Sequence, residues 1–216
     1  MKKATPLPSP SPRPRGRPRE FDEAKVLDQA LEVFWRLGYE GATVADLTGA
    51  TGLSATSLYA AFDSKEGLYR RVLEHYREGP GGNTGRALEE EPTARGGFER
   101  VLREAARNFT RRKLPPGCMI STAVLRCAQA HRPVADLVSS LRQATVASFR
   151  ERLARAVREG ELPEGTDTGA LARYFGALLQ GMSVQAADGA TEADLLALAA
   201  VAMRAWDGGD GRPRAR

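Results

Sequence analysis

Cysteine and histidine are scarce in this chain of 216 residues, with two of each, and aromatic residues make up only 6%. Two cysteines without a Cys-x-x-Cys pair suit neither a disulfide framework nor a zinc site. We therefore expect reduced thiols, a cytoplasmic location, and no bound metal or cofactor. Two histidines far apart in sequence, among scattered carboxylates, offer no convergent acid-base constellation, which argues against an enzyme.

Long apolar runs are also missing. No uncharged stretch approaches the roughly 20 apolar residues that a membrane-spanning helix needs. The proline-rich N-terminus lacks the apolar region of a signal peptide. β-branched residues are sparse and no alternating strand pattern occurs, whereas alanine and leucine are abundant. We predict an all-α protein without a membrane partner.

The net charge of +5 is unevenly placed along the chain. Residues 1–19 hold six cationic side chains and no acid, so the rest of the chain is close to neutral. Proline, serine and arginine dominate this segment, which cannot bury enough apolar surface to fold. We predict a disordered basic arm whose partner is a polyanion, either nucleic acid or an anionic membrane. The arm lacks the apolar face of an interfacial membrane helix.

Within the arm, residues 14–18 (PRGRP) resemble the core of an AT-hook. Glycine lets the backbone enter a narrow minor groove while Arg15 and Arg17 extend along its floor, and A/T-rich grooves are narrow and more negative. A non-specific phosphate tether is the alternative interpretation of so short a motif. In both cases the arm should add DNA affinity that salt weakens.

Apolar spacing predicts the helices, and glycine and proline mark their ends. A first helix begins after Asp22 and ends at Gly38, and a longer one extends from Lys65 to about Glu78. A glycine-rich break at 79–92 is expected to separate two domains, at 20–78 and 93–206. Helices of the second domain are predicted at about 93–113, 117–130, 132–160, 167–187 and 191–206, before a disordered tail at 207–216.

The segment from Thr43 to Phe62 has the pattern of a helix-turn-helix. Thr43 and Ser54 are predicted to cap two short helices, and Gly52 supplies the left-handed conformation that the sharp turn needs. The second helix begins with small polar residues, and its free N-terminal amides can face a phosphate or a base edge. A plain helical corner in an all-α protein is the alternative that turn chemistry alone leaves open.

A family resemblance supports the DNA-binding interpretation. Residues 20–78 resemble the N-terminal domain of the TetR family of bacterial regulators. The matching motifs are TVADL at 43–47, TGLS at 51–54, LY at 58–59, Phe62, and SKEGL at 64–68. The resemblance implies a homodimer that binds a pseudo-palindromic operator in double-stranded DNA. It implies phosphate contacts by Thr43, Ser54, Tyr59 and Lys65, and base contacts within 54–58, which include Ala55, Thr56 and Ser57.

This chain departs from the family pattern at the predicted recognition helix. Many members have Lys-Gly where this chain has alanine and threonine at 55–56, and often histidine where it has two alanines at 60–61. These departures remove a cation and leave Thr56 and Ser57 as the main polar readers. We expect phosphate contacts and the arginine-rich arm to contribute more here than in a typical member.

Two of the implied phosphate contacts have a structural alternative. Tyr59 is amphipathic and could pack as a core aromatic. Lys65 falls in a first helical turn, where the helix dipole disfavours a cation, so a surface lysine without a role is possible. A nearby phosphate would compensate that charge.

The distal helices are the natural place for an effector, because helical bundles form cavities between facing helices. Core packing is the alternative role for each large side chain there. The candidate lining residues are Phe109, Cys118, Met119, Tyr174, Phe175, Leu178, Met182 and Trp206. Arg103, Asn108, Gln180 and Gln185 are polar positions that either orient a ligand or lie on the surface.

Residues 117–119 (GCM) resemble a Gly-Cys-Leu stretch in a subset of the family, some of whose members respond to electrophiles or oxidants. The basic residues at 111–113, and a helix N-terminus predicted at 115–117, would favour the thiolate of Cys118. A buried and inert cysteine is the alternative.

The resemblance also places a dimer interface on the last two long helices, within 167–206. Expected interface residues are Leu171, Leu179, Leu195, Leu198 and Val201, with packing inside one protomer as the alternative for several. Together these features predict a homodimeric repressor that a small molecule, or an electrophile, releases from its operator. The competing hypothesis is an architectural DNA-binding protein that uses the arm and helix-turn-helix without an effector.

Overall fold

The computed structural model describes residues 21–207, and regular secondary structure in this range is helical throughout. The helices are α1 (Glu23–Gly41), α2 (Val44–Thr51), α3 (Ala55–Phe62), α4 (Lys65–Glu78), α5 (Asn83–Glu90), α6 (Ala94–Phe109), α7 (Arg132–Arg158), α8 (Thr168–Ala187) and α9 (Glu192–Asp207). The all-α prediction is confirmed. The predicted arm, with Arg15 and Arg17, and residues 208–216 lie outside the described part of the chain.

Helices α1 to α4 form the N-terminal unit around one apolar core. The Asp22 side chain caps α1 by accepting from the Lys25 amide at 3.2 Å, as predicted. Gly38 has a φ of 71° and interrupts α1 where the sequence places its end. Phe34 on α1 and Tyr69 on α4 pack edge to face with ring centres 4.9 Å apart. This contact fixes α4 across α1, and α2 then packs against α1 while α3 packs against α4.

A second core lies among α6, α7, α8 and α9, with Phe98 at its centre. The Phe98 ring has no exposed surface, and its centre lies 4.4 Å from that of Phe175, 5.1 Å from Phe149 and 5.5 Å from Trp206. Burial of these rings removes a large apolar area from water, and aromatic pairs add about 0.5–1.5 kcal/mol each beyond it. Among the described helices, none is both long and apolar enough to cross a bilayer.

The glycine-rich break at 79–92 is shorter than the sequence predicts, because it contains α5. The turn itself is confined to 79–82, where the Gly81 amide donates to the Tyr76 carbonyl at 2.7 Å. Helix α5 follows, and its two apolar residues, Ala87 and Leu88, are buried against α6. Two apolar positions in eight residues are too few to show a helical period. This explains why the sequence predicts a loop here.

The predicted helix at 117–130 is wrong. After α6 the chain continues in turns and bends until a 3-10 turn at Gln129–His131. Two features oppose a helix: Gly117 has a φ of 82°, and Val124 has a φ of 47°. The carbonyls of the segment instead accept hydrogen bonds from the Arg142 side chain. Residues 118–131, here called the interdomain segment, therefore follow tertiary contacts rather than local propensity.

The interdomain segment joins the two cores. Met119 is buried in the core of the N-terminal unit, as are Val134 and Val138 from the first turns of α7. Cys118, which precedes Met119, packs against both cores. The N-terminal core is thus completed by residues from the second half of the chain. A shift of the interdomain segment would therefore change the packing of both cores.

Candidate nucleic-acid interface and cavity

A capping box opens α2. The Thr43 hydroxyl accepts from the Asp46 amide at 3.1 Å and donates to Asp46 Oδ2 at 2.6 Å, while the Thr43 amide donates to the same oxygen at 2.8 Å. These hydrogen bonds favour the carboxylate and lower the pKa of Asp46. Thr43 is exposed as a phosphate contact requires. Its hydroxyl proton is directed at Asp46, so a phosphate would have to share or replace that contact.

The turn between α2 and α3 has the predicted chemistry. Gly52 is left-handed, with a φ of 67°, and its amide closes α2 by donating to the Thr48 carbonyl at 2.9 Å. Ser54 then caps α3, since its hydroxyl accepts from the Ser57 amide at 3.1 Å. The two serine hydroxyls are also 2.9 Å apart. The caps leave α3 rigidly attached at its N-terminal end.

Helix α3 presents one face to solvent and buries the other. Leu58 and Phe62 are buried, whereas residues 54–57 and 60–61 are exposed, which is the orientation that base contacts would need. Among the described residues the Thr56 hydroxyl has no hydrogen-bond partner. Because Ser54 and Ser57 bond to each other, Thr56 is the polar group of this face that is most free to contact a base.

Lys65, at the start of α4, has a partner that the sequence did not reveal. Its ammonium lies 4.7 Å from the centre of the Tyr39 ring, close enough for a cation–π interaction. Partial burial lowers the pKa of Lys65, and burial raises the pKa of Tyr39. Tyr59 is half-buried near this end of the interface. The Tyr39 ring supplies the compensation that a cation in a first helical turn lacks.

The interdomain segment meets α1 at this same point. The Tyr39 ring packs edge to face on the His131 imidazole with centres 5.2 Å apart. Glu40 Oε1 accepts from the Ala128 amide at 3.0 Å and lies 3.8 Å from His131 Nε2. The ring below the Lys65 ammonium is therefore held in part by the second half of the chain.

A cavity of about 520 Å³ lies between α4, α6, α7 and α8 and is closed on one side by the interdomain segment. This volume suits a small organic molecule. Apolar walls come from Val101, Phe109 and Leu179, and neutral polar groups from Asn108 and Gln180. Among the described residues, no group of three or more potential metal ligands is found.

Two of the predicted lining residues, Phe109 and Cys118, lie in the cavity wall. The others lie elsewhere. Met119 is buried in the N-terminal core, Phe175, Met182, Leu178 and Trp206 pack in or against the second core, and Tyr174 is 41% exposed. Of the polar candidates, Asn108 and Gln180 line the cavity, whereas Arg103 and Gln185 are exposed. Side-chain size, on which the prediction relied, selected core residues as readily as cavity residues.

Arg142, which the sequence analysis did not select, lies in the cavity wall. Its Nη1 donates to the carbonyls of Ile120 at 3.1 Å and Ala123 at 3.0 Å. Burial lowers the pKa of Arg142, and among the described residues no carboxylate lies within salt-bridge distance. The sequence could have indicated this position, because Arg142 lies four residues after Val138 and so on the same face of α7 as its buried residues.

Cys118 is held at the cavity by two hydrogen bonds. The Tyr76 hydroxyl donates to Cys118 Sγ at 3.3 Å, and the Cys118 amide donates to Ser183 Oγ at 2.7 Å. A Cβ on the preceding Gly117 would lie 2.7 Å from the Ser183 carbonyl oxygen, so this close approach requires glycine. The helix N-terminus predicted at 115–117 is absent, and the basic residues at 111–113 are exposed.

The residues predicted for a dimer interface differ in exposure. Val201 is 55% exposed on α9, and Leu171 and Leu198 are half-buried. Leu179 is nearly buried, and Leu195 has no exposed surface within one chain. Leu195 therefore belongs to the protomer core. Tyr174 and Val184 on α8 add exposed apolar surface that was not predicted for the interface.

A capped helix-turn-helix followed by a helical domain with an internal cavity defines the class of DNA-binding transcription regulators. Two family models match the chain. "Bacterial regulatory proteins, tetR family" matches residues 26–72, and "Tetracyclin repressor-like, C-terminal domain" matches residues 97–203. The chain belongs to the TetR family.

Two transcriptional repressors are similar in sequence to this chain over most of its length. The HTH-type transcriptional repressor ComR of Escherichia coli (strain K12) is 31% identical over 190 residues, which are 88% of this chain and 90% of ComR. The HTH-type transcriptional repressor BdcR of the same strain is 29% identical over 189 residues, 87% of this chain and 90% of BdcR.

Solved structures agree as well. A cysteine-substituted variant of the TetR family transcriptional regulator CifR, complexed with 26-bp double-strand operator DNA, has a TM-score of 0.85 and 42% identity. The match covers 88% of this chain and 100% of the CifR chain. A putative TetR transcriptional regulator from Rhodococcus sp. RHA1 has a TM-score of 0.58 and 38% identity, over 83% of this chain and 96% of that one.

Proposed function

We propose that this chain is a homodimeric, sequence-specific repressor that a small molecule releases from its operator. The observation that carries the proposal is the interdomain segment, which forms part of the cavity wall and also completes the core of the helix-turn-helix unit. A ligand in the cavity would therefore contact the interdomain segment, which packs in the core of the helix-turn-helix unit and helps to position its helices. The names of ComR and BdcR as repressors, and the operator complex of CifR, support the DNA-binding half of the proposal.

On DNA, the exposed face of α3 would enter the major groove, with Thr56 and Ser57 at the bases. Thr43, Ser54, Tyr59 and Lys65 would contact phosphates around it. Two such helices in a dimer reach successive major grooves about 34–36 Å apart, which requires a pseudo-palindromic operator.

The dimer would form through α8 and α9. These helices carry Tyr174, Val184 and Val201 as large apolar side chains that are at least two-fifths exposed in the single chain. These residues lie on the two helices that the family resemblance assigns to the interface, and burial against a second copy would remove them from water. The half-buried Leu171 and Leu198 would add to this surface.

Release requires that the effector bind the two states of the dimer with different affinities. Coupling between two sites in one protein is typically about 1–3 kcal/mol, which corresponds to roughly 5- to 150-fold in operator affinity. The cavity favours this mechanism over an architectural DNA-binding protein, which would have a solid bundle core.

A covalent effector is a second candidate. The thiol of Cys118 lies in the cavity wall and accepts a hydrogen bond from the Tyr76 hydroxyl, so Sγ is accessible from the cavity. An electrophile that entered the cavity could alkylate Sγ and thereby enlarge a side chain that packs against both cores.

Sedimentation analysis combined with DNA binding tests the dimeric repressor. Wild-type chain should sediment as a dimer, and Val201→Glu should shift it toward monomer and weaken binding to a two-half-site DNA by more than about tenfold, because bivalency is lost. Leu37→Glu changes an exposed apolar residue on α1 and should leave the oligomeric state unchanged. A wild-type monomer, or a Val201→Glu chain that is dimeric and binds normally, would contradict the proposal.

A further inference from the structure

The guanidinium of Arg142 is a half-buried charge without an acidic partner among the described residues. Its Nη1 is occupied by the Ile120 and Ala123 carbonyls, whereas its Nε and Nη2 have no partner among the described residues. The nearby phenol of Tyr69 supplies no negative charge, because burial raises its pKa and keeps it neutral. A cation in such surroundings is stabilised by neutral dipoles alone, and a carboxylate would bind it more strongly.

The acidic side chains that line the cavity do not pair with Arg142. Glu74 pairs with Arg71 at 3.1 Å, and Glu104 pairs with Arg100 at 2.7 Å. Each of these carboxylates is thus held by an arginine of its own helix. The remaining ionic residues of the wall, Arg77 and Glu78, are neighbours on α4 that are exposed to solvent. The cavity wall therefore has a positive charge at Arg142 that no described carboxylate compensates.

The rest of the wall indicates what kind of anion would fit. The wall also has apolar residues, among them Val101, Phe109 and Leu179, and a volume of about 520 Å³ accommodates a short hydrocarbon or an aromatic ring. Asn108 and Gln180 offer neutral hydrogen-bonding groups without adding charge. One carboxylate on an apolar body matches this arrangement, whereas a cation or a polyanion does not.

We propose that the cavity binds a small apolar monocarboxylate through Arg142, and that this contact draws the guanidinium away from the carbonyls of Ile120 and Ala123. The inference rests on the proposed effector response and names its ligand class. Loss of these two hydrogen bonds frees the interdomain segment, whose other end is attached to Tyr39 and Glu40 at the helix-turn-helix unit.

Binding to the full chain tests the ligand class. The probes are hexanoate, octanoate, benzoate and 3-phenylpropanoate, each compared with its primary amide in calorimetry and thermal shift. At least one acid should bind wild type about 10- to 100-fold more tightly than its amide, the factor expected for a hydrogen bond to a charged group. Arg142→Met should remove this preference, and Arg142→Lys should retain part of it. Arg158→Met, an exposed arginine on the same helix, should keep it in full.

Several outcomes would overturn the ligand class. These are equal binding of acid and amide, no binding of any acid, or an unchanged preference in Arg142→Met. If Arg142→Met does not fold, as judged by circular dichroism, the preference in wild type and its reduction in Arg142→Lys decide the question.

Release from DNA separates this inference from the proposed function. With an operator fragment obtained by selection, the preferred acid should release wild type at concentrations where its amide does not. Arg142→Met should bind the operator more weakly without any ligand and should not respond to the acid. Release by the amide as readily as by the acid would uphold effector control and overturn the role of Arg142. Binding of the acid without release would uphold the site and contradict effector control.

Discussion

The Lys65 ammonium lies over the face of the Tyr39 ring, 4.7 Å from its centre. The same ring packs against His131 of the interdomain segment. A cation proposed to contact a DNA phosphate is thus supported by an aromatic ring whose position depends on the second half of the chain. This arrangement would connect the proposed effector cavity to the proposed DNA contacts through the interdomain segment.

Lys65→Gln should weaken operator binding and reduce its dependence on salt. Each phosphate neutralised contributes about 0.9 to the slope of log affinity against log salt, so the slope should fall by roughly that amount per protomer. Fluorescence anisotropy over a series of salt concentrations measures it. Lys113→Gln, an exposed lysine after α6, is the matched control and should leave the slope unchanged. Equal slopes for Lys65→Gln and wild type would remove Lys65 from the DNA contacts.

The two glycines of the helix-turn-helix should respond to alanine in opposite directions. Gly52 has a φ of 67°, and an L side chain there costs about 1–2 kcal/mol of stability. Gly49 is an exposed helical position in α2 where a Cβ meets nothing within 4 Å. Gly49→Ala should therefore stabilise the protein by about 0.5–1 kcal/mol. Urea unfolding measures the stability of both variants. A Gly52→Ala chain as stable as wild type would contradict the left-handed turn.

The capping box of α2 should be visible in the titration of Asp46. Its pKa lies below the usual 3.8 because Thr43 donates two hydrogen bonds to the carboxylate. A depressed pKa in the folded state means that the cap stabilises the fold above the unfolded pKa. This contribution disappears as the pH falls through the folded pKa.

Thr43→Val removes the hydroxyl donor and should move the pKa of Asp46 up toward 3.8, as measured by carboxyl-detected NMR. Asp194 is an internal control, because Thr191 lowers its pKa in the same way at the start of α9. The pKa of Asp194 should be unaffected. An unchanged Asp46 titration would show that the hydrogen bond from the Thr43 hydroxyl is not formed in solution.

Under the covalent-effector hypothesis, Cys118→Ser should bind DNA normally but resist release by N-ethylmaleimide. Cys127, the other free thiol of the described residues, is half-buried and lies outside the cavity wall. Cys127→Ser is the matched control and should be released like wild type. Electrophoretic mobility shifts with increasing reagent provide the measurement. Release of Cys118→Ser at wild-type concentrations would exclude the thiol as a sensor.

The DNA-binding half of the structure could be predicted because its signals are local. The Thr43 and Ser54 hydroxyls cap their helices by accepting from amides only three residues along the chain, and Gly52 adopts the left-handed turn without distant contacts. The Lys65–Tyr39 contact could not be predicted in this way, since it depends on how α4 crosses α1. Local chemistry predicted the caps, the turn and the exposed face of α3, but not the Tyr39 ring beneath Lys65.

The second half was less predictable because packing between distant helices decides it. The helix predicted at 117–130 is absent, since Arg142 takes up carbonyls that a helix would have used internally. Phe175 and Met182 were selected for their size, yet they fill the core around Phe98. Arg142 itself was not predicted, although its four-residue spacing from Val138 places this cation on the same face of α7 as the buried residues.

Selection of bound sequences from random double-stranded DNA tests the central claim most directly. The full chain should enrich a pseudo-palindrome whose half-sites are centred one helical turn apart, about 10–10.5 bp, or a multiple of it. Enrichment should weaken for Thr56→Ala together with Ser57→Ala if these residues read the bases. Recovery of DNA without sequence preference, or of single half-sites without a partner, would contradict a dimeric operator-binding repressor.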